Sequence, residues 1–169
     1  MNKNFYCLGL MSGTSMDGID GSIIYSDGVD NFEVIENFYY KYESNFNNKL
    51  SDLKNKILSG KDLKYYEKDI NELEREITIL HAEFANAILK NYKNKIDLVG
   101  LHGQTIYHNS DEKITKQLGD GKLLSQLLKK KIVYNFREND IKNNGNGAPL
   151  APIYHSAIAK KIKKNNIIF

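Results

Sequence analysis

Two glycines, hydroxyl side chains and two carboxylates are concentrated in one short stretch, Ser12 followed by Gly13, Thr14, Ser15, Met16, Asp17, Gly18, Ile19 and Asp20. Glycines let a backbone approach a ligand closely and take positive φ. Successive N–H groups with hydroxyls beside them form a concavity for anionic oxygens. A turn of this content suits phosphate groups, and Asp17 or Asp20 can hold a magnesium ion, directly or through water. Other glycine motifs fit less well. Gly13 and Gly18 have P-loop spacing, but Ile19 stands where the lysine belongs. Asp17 occupies the last glycine of a G-x-S-x-G elbow, and no G-x-G-x-x-G is present. Gly, Ser and Asp also dominate ordinary turns, so a hairpin tip without chemistry is the competing reading.

The elements around this stretch must hold it in place. Phe5 to Leu10 and Ile19 to Tyr25 read as two strands, and the alternation of Phe32, Val34, Phe38, Tyr40 and Tyr42 as a third. Short turns make the three a meander. Leu50, Leu53, Ile57 and Leu58 fit one helical face, ended by Ser59-Gly60. Leu73, Ile77, Leu80, Phe84, Ile88 and Tyr92 mark a longer helix from about Asp69 to Asn91, with His81 packed beside the stripe. Ile96 to His102 is nearly all apolar, so it reads as a central strand parallel to the first. It leads into Gln104 and Thr105 at the strand end, where open α/β sheets bind ligands.

Further along come a short strand Ile114 to Leu118, a turn Gly119-Asp120-Gly121 that caps a helix Lys122 to Lys130, and a strand Ile132 to Phe136 with Arg137 at its exit. A glycine- and asparagine-rich loop precedes a helix from Pro152 to Lys163, and Ile167 to Phe169 reads as the start of another strand. The fold class is therefore α/β, with a mixed sheet and an N-terminal three-strand meander flanked by helices. The order matches the ribonuclease-H-like half-domain of actin, sugar kinases and heat-shock ATPases.

Bulk composition narrows the function. The chain has 169 residues, 41% hydrophobic and 27% charged, with a net charge of +3, as expected of a globular protein with one well-filled domain. Lysines are interspersed with acids, so no nucleic-acid face is expected. No apolar run reaches the roughly 20 residues of a membrane span. Met1 to Asn4 leads straight into a strand, without the pattern of a signal peptide. The single Cys7, placed in a buried strand, suits a reducing cytoplasm. His102 and His108 lack cysteine partners at zinc-ligand spacing.

Five segments together resemble one family, the anhydro-N-acetylmuramic acid kinases. They are LMSGTSMDGID at 10–20, GLHGQTIYH at 100–108, QLGDG at 117–121, VYNFRENDI at 133–141 and NGAPLAPIYH at 146–155. The resemblance covers nearly the whole chain in family order. It implies an ATP- and Mg2+-dependent carbohydrate kinase that opens the 1,6-anhydro bridge of 1,6-anhydro-N-acetylmuramic acid with water. The γ-phosphate goes to O6, giving N-acetylmuramic acid 6-phosphate in cell-wall recycling. It further implies that Gly13 through Asp20 form the ATP phosphate loop and that Gln104, Thr105 and Arg137 belong to the sugar site. Arg137 can fork onto the lactyl carboxylate, and Gln104 offers both a donor and an acceptor.

The chain departs from the family pattern in places. Asn135-Phe136-Arg137 stands where the family usually has Asp-Phe-Arg, and Asn144 and Asn146 replace a glycine and a glutamine. The family continues past this point into a second lobe that carries the catalytic aspartate and the adenine contacts. Residues 1–169 are thus expected to be an N-terminal lobe with no catalytic base of its own and little turnover alone. Asp17 is assigned to metal and phosphate rather than to proton abstraction. A homodimer or a separately encoded second lobe is the expected partner. The alternatives are a non-catalytic nucleotide- or sugar-binding module, or a different sugar kinase of the same fold.

Overall fold

The computed structural model describes residues 3–29 and 31–162. Strands β1 (Phe5–Ser12), β2 (Gly18–Ser26) and β3 (Phe32–Lys41) form the expected antiparallel meander. Helices α1 (Ser44–Lys56), α2 (Asp62–Tyr65) and α3 (Glu67–Asn91) follow. The chain then enters β4 (Leu98–Asn109), β5 (Ile114–Leu118), α4 (Gly121–Leu128), β6 (Lys131–Val133), α5 (Phe136–Lys142) and α6 (Pro152–Ile162). The sheet order is β3-β2-β1-β4-β5, with β6 beside the start of β4. β1–β4 and β4–β6 are parallel, and β4–β5 is a hairpin.

One buried cluster joins the sheet to α3. Leu8, Leu10, Ile19, Ile23, Val99 and Leu101 from the strands share it with Ile77, Phe84, Ala85 and Ile88 from the helix. Gly21 explains how close the two layers come, since a Cβ there would lie 3.0 Å from Phe84 Cε1. The loop into α4 is tied to the same helix. Thr78 Oγ1 accepts from Asp120 N at 2.9 Å, and Glu74 Oε1 accepts from Gly119 N and pairs with Lys116. Asp120 then caps α4 through the Lys122 and Leu123 amides, as its type predicts.

Several sequence expectations are corrected. Leu58 lies beyond α1 and is 82% exposed, because the helix ends at Lys56 before a turn held by the Asp62 carboxylate. α4 starts at Gly121 and stops at Leu128, where Lys129 takes a left-handed conformation. The strand expected over Ile132 to Phe136 is only Lys131–Val133. Asn135, at φ 60°, turns the chain into the unforeseen helix α5 and places Arg137 in its first turn. β4 does not stop at His102 but runs on to Asn109. Cys7 is half-buried rather than enclosed. The strand start expected at Ile167 to Phe169, and Lys163 at the end of the last helix, lie outside the described residues.

His81 is packed as expected, fully buried with its Nδ1 2.8 Å from the Ile77 carbonyl. Burial, opposed by that hydrogen bond and aided by nearby His102, pushes its pKa down to about 4. A histidine that is neutral when folded but titrates near 6.5 when unfolded loses stability as pH falls from the upper value to the lower. The cost is roughly 3 kcal/mol once both states lie below the window. Urea titrations at a series of pH values are expected to show a steeper loss between about pH 6.5 and about pH 4 for the wild type than for His81→Leu.

Candidate functional site

The turn between β1 and β2 is fixed from below and open above. Met16, at φ 56°, closes it through Met16 N to Gly13 O at 3.1 Å and buries its side chain in the core. Asn47 Nδ2 donates to the Met16 carbonyl at 2.7 Å, and Tyr42 N donates to the Asp17 carbonyl at 2.8 Å. Thr14, Ser15 and Asp17 are left exposed, and Gly13 is half-buried. Ile19 is fully buried in the core and Asp20 is exposed opposite Met11.

Asp17 is an anion by construction. Its carboxylate is held below the usual range by the Ser15 hydroxyl, its own amide and the Tyr39 hydroxyl. Tyr39 can reach it because Gly18 has no side chain: a Cβ there would lie 2.7 Å from the Tyr39 ring and 2.3 Å from the Tyr40 carbonyl. Asp17, exposed and anionic, is a carboxylate that could hold magnesium, an ion bound by one or two carboxylates together with nucleotide oxygens and water. Among the described residues, no group of three or more metal-ligating side chains forms a protein-only site.

A β-bulge connects this turn to the second half of the site. Leu10 pairs with Leu101, but Met11 pairs with Gly103 and Ser12 with Gln104, so His102 is left over. Gly103 takes φ +72°, and a Cβ there would lie 2.1 Å from the Leu118 carbonyl. Bulges re-aim side chains and recur beside active sites. Here the extra residue moves Gln104 inward, fully buried, and leaves Thr105 half-buried. Gln104 Oε1 and Ser12 Oγ are 2.6 Å apart, Tyr42 OH donates to Ser12 Oγ at 3.1 Å, and Ser12 Oγ lies 3.0 Å from the Gly18 carbonyl. Gln104 thus stands behind the turn, joining its two ends to β4. Thr105 Oγ1 accepts from Gln117 Nε2 at 3.3 Å.

Arg137 meets the same region from α5. Its Nε donates to His102 Nε2 at 2.9 Å, and its Nη1 donates to the Gly147 carbonyl at 2.9 Å. Asp140 holds that loop, accepting from Gly147 N on Oδ2 and from Gly145 N on its carbonyl, each at 2.8 Å. His102 and Phe136 face Met11, Asp20 and Ser22 across a groove of about 440 Å³ on the sheet. The structure therefore links the turn to Gln104 through Ser12 and ties Arg137 to His102, a residue of the groove wall; residues 13–18, Gln104 and Arg137 do not themselves line that groove. The asparagine at 135 keeps a left-handed conformation that Asn adopts readily.

Sequence reasoning missed Tyr39, Tyr42 and Asp140, and it placed His102 at the ligand-binding strand end without giving it a role. Tyr39 and Tyr42 were visible only as strand residues. His102 carried a signal in the adjacent Gly103, which marks bulges within strands.

An open mixed sheet with the β3-β2-β1 meander flanked by helices is the architecture of a half-domain of the sugar-kinase type. The anhydro-N-acetylmuramic acid kinase family model matches residues 5–169. The chain is 56% identical over 163 residues to the anhydro-N-acetylmuramic acid kinase of Pelagibacter ubique, covering 96% of this chain and 44% of that protein. It is 38% identical over 160 residues to the enzyme of that name from Rhizobium etli, covering 93% and 43%. For the one from Agrobacterium fabrum the identity is 35% over 158 residues, covering 92% and 42%. The chain belongs to the anhydro-N-acetylmuramic acid kinase family, and it spans less than half the length of these relatives. Among the described residues, no helix is long and apolar enough to cross a membrane.

Proposed function

We propose that residues 1–169 supply the phosphate-gripping and sugar-carboxylate-reading half of an ATP-dependent kinase acting on 1,6-anhydro-N-acetylmuramic acid. The whole enzyme hydrolyses the anhydro bridge and phosphorylates O6, working in the cytoplasm with a second lobe that completes the cleft. The observation that carries this reading is the turn itself. Thr14, Ser15 and Asp17 are presented outward, while Met16, Ser12, Gln104 and Tyr42 fix the backbone beneath them. Preorganised donors around a transferring phosphoryl group account for most of the catalysis in such enzymes.

Gly13 lets the main chain approach the phosphates, and the turn's amides and hydroxyls bind them; Gly18 instead makes room for Tyr39. Asp17 would hold magnesium, which neutralises charge on the phosphate oxygens. Arg137 and Thr105 contact the sugar; Gln104, expected from the sequence to join them, is fully buried against Ser12 and supports the turn from behind instead. The general base for the attacking water comes from outside this chain, so the chain alone turns over little substrate.

Calorimetry with Mg–ATP and with the anhydro sugar tests the division of labour. Arg137→Ala is expected to weaken sugar binding about 100-fold, the scale of a charge-assisted hydrogen bond to a carboxylate, with ATP affinity unchanged. Equal sugar affinity in the variant would sink the assignment of Arg137.

A further inference from the structure

We propose that His102, the residue the bulge leaves over, is a positioning residue that fixes the Arg137 guanidinium by accepting its Nε–H, so that anion capture by Arg137 requires a neutral imidazole. The proposal rests on the reading of Arg137 as the carboxylate contact.

The hydrogen-bond directions leave one tautomer. The Gly103 carbonyl, 2.9 Å from His102 Nδ1, can only accept, so Nδ1 carries the proton. Nε2 then has a lone pair, and Arg137 Nε, which can only donate, sits 2.9 Å from it. Nη1 is engaged with Gly147. With these two bonds made, the guanidinium plane is fixed at two points, and Nη2 remains for a ligand. Fixing a fork before binding lowers the ordering cost of capture.

Protonation of His102 reverses the arrangement. Imidazolium has no acceptor at Nε2 and places a second positive charge against Arg137. The surroundings resist this. Burial, opposed by the hydrogen bond to the Gly103 carbonyl and aided by the Arg137 charge, holds the His102 pKa below its ordinary value. Among the described residues, His81 on α3, itself kept neutral by burial, and Asp20 on β2 at the rim of the groove lie near His102, and Asp140 on α5 and His108 on β4 flank the Gly147 end of the Arg137 contact. Gly103, in a left-handed conformation directly after His102, forms the backbone of this bulge.

Two measurements on the 169-residue chain test the proposal. Nitrogen-15 spectra of His102 across pH should show the Nδ1–H tautomer and a midpoint below about 6.5. The Arg137 Nε–H signal should be protected from exchange above that midpoint and lost below it. An Arg137 signal indifferent to His102 ionisation would overturn the proposal.

Calorimetry then compares the anhydro sugar acid with its neutral lactyl amide. For wild type, affinity for the acid should fall about tenfold for each pH unit below the His102 midpoint found in those spectra. His102→Gln, which accepts without titrating, should lose that dependence; an equal fall in the variant would count against the coupling. If acid and amide bind alike, or neither binds, the reading of Arg137 fails, while the spectra still decide whether His102 positions it.

Discussion

Gly103→Ala is expected to destabilise the protein by roughly 2–6 kcal/mol, combining left-handed strain on a residue with a side chain and overpacking against backbone. The second term is forced, because the new Cβ would sit 2.1 Å from the Leu118 carbonyl in the paired strand β5. A carbonyl in a ladder cannot swing aside as a flexible side chain can. Relief requires β4 to slip out of its bulge, and a one-residue slip exchanges the two faces of a strand. Gln104 would then leave the Ser12 hydroxyl, and His102 would leave Arg137. A domain of this kind has only about 5–15 kcal/mol in total, so the loss is a large share. Denaturant midpoints measure it, and a change below about 0.5 kcal/mol would show that the bulge is not required.

Gly13→Ala is expected to do the opposite, sparing the fold and damaging nucleotide binding. The nearest atom to a Cβ at this position is Ser15 Oγ, at an ordinary 3.8 Å. Stability should therefore stay within about 0.5 kcal/mol. A methyl group at the half-exposed start of the turn stands where a phosphate must approach the main chain. ATP affinity should drop at least about tenfold, or about 1.4 kcal/mol. Unchanged ATP affinity in a stably folded variant would mean that phosphates do not approach at Gly13. The two substitutions separate a glycine needed by the fold from one needed by the ligand.

Much of this was legible in the residues. The meander and α3 follow from periodicity and the parallel β1–β4 pair from an unbroken apolar run, since Phe38, Tyr40, Ile77, Phe84 and Val99 all turn to the core. The hairpin tip was legible from residue types alone. The bulge was not, because the apolar run to His102 looks like a finished strand, and Gly103 reads as easily as a terminator. α5 was hidden for a related reason. Ile132, Tyr134 and Phe136 alternate as a strand does, but Asn135 adopts a left-handed conformation that period-two patterning cannot reveal. Partnerships between distant segments, such as Tyr42 with Ser12 and Arg137 with His102, depend on register and stay invisible until the strands are paired.

The most direct test of the account is an amide-shift titration of the isotope-labelled chain with Mg–ATP and, separately, with Mg–AMP. The account predicts that ATP moves the amides of Gly13 to Gly18 most, with AMP producing little change there, because the terminal phosphates make the contact. Shifts of equal size for both nucleotides, or shifts confined to residues away from that turn, would contradict it.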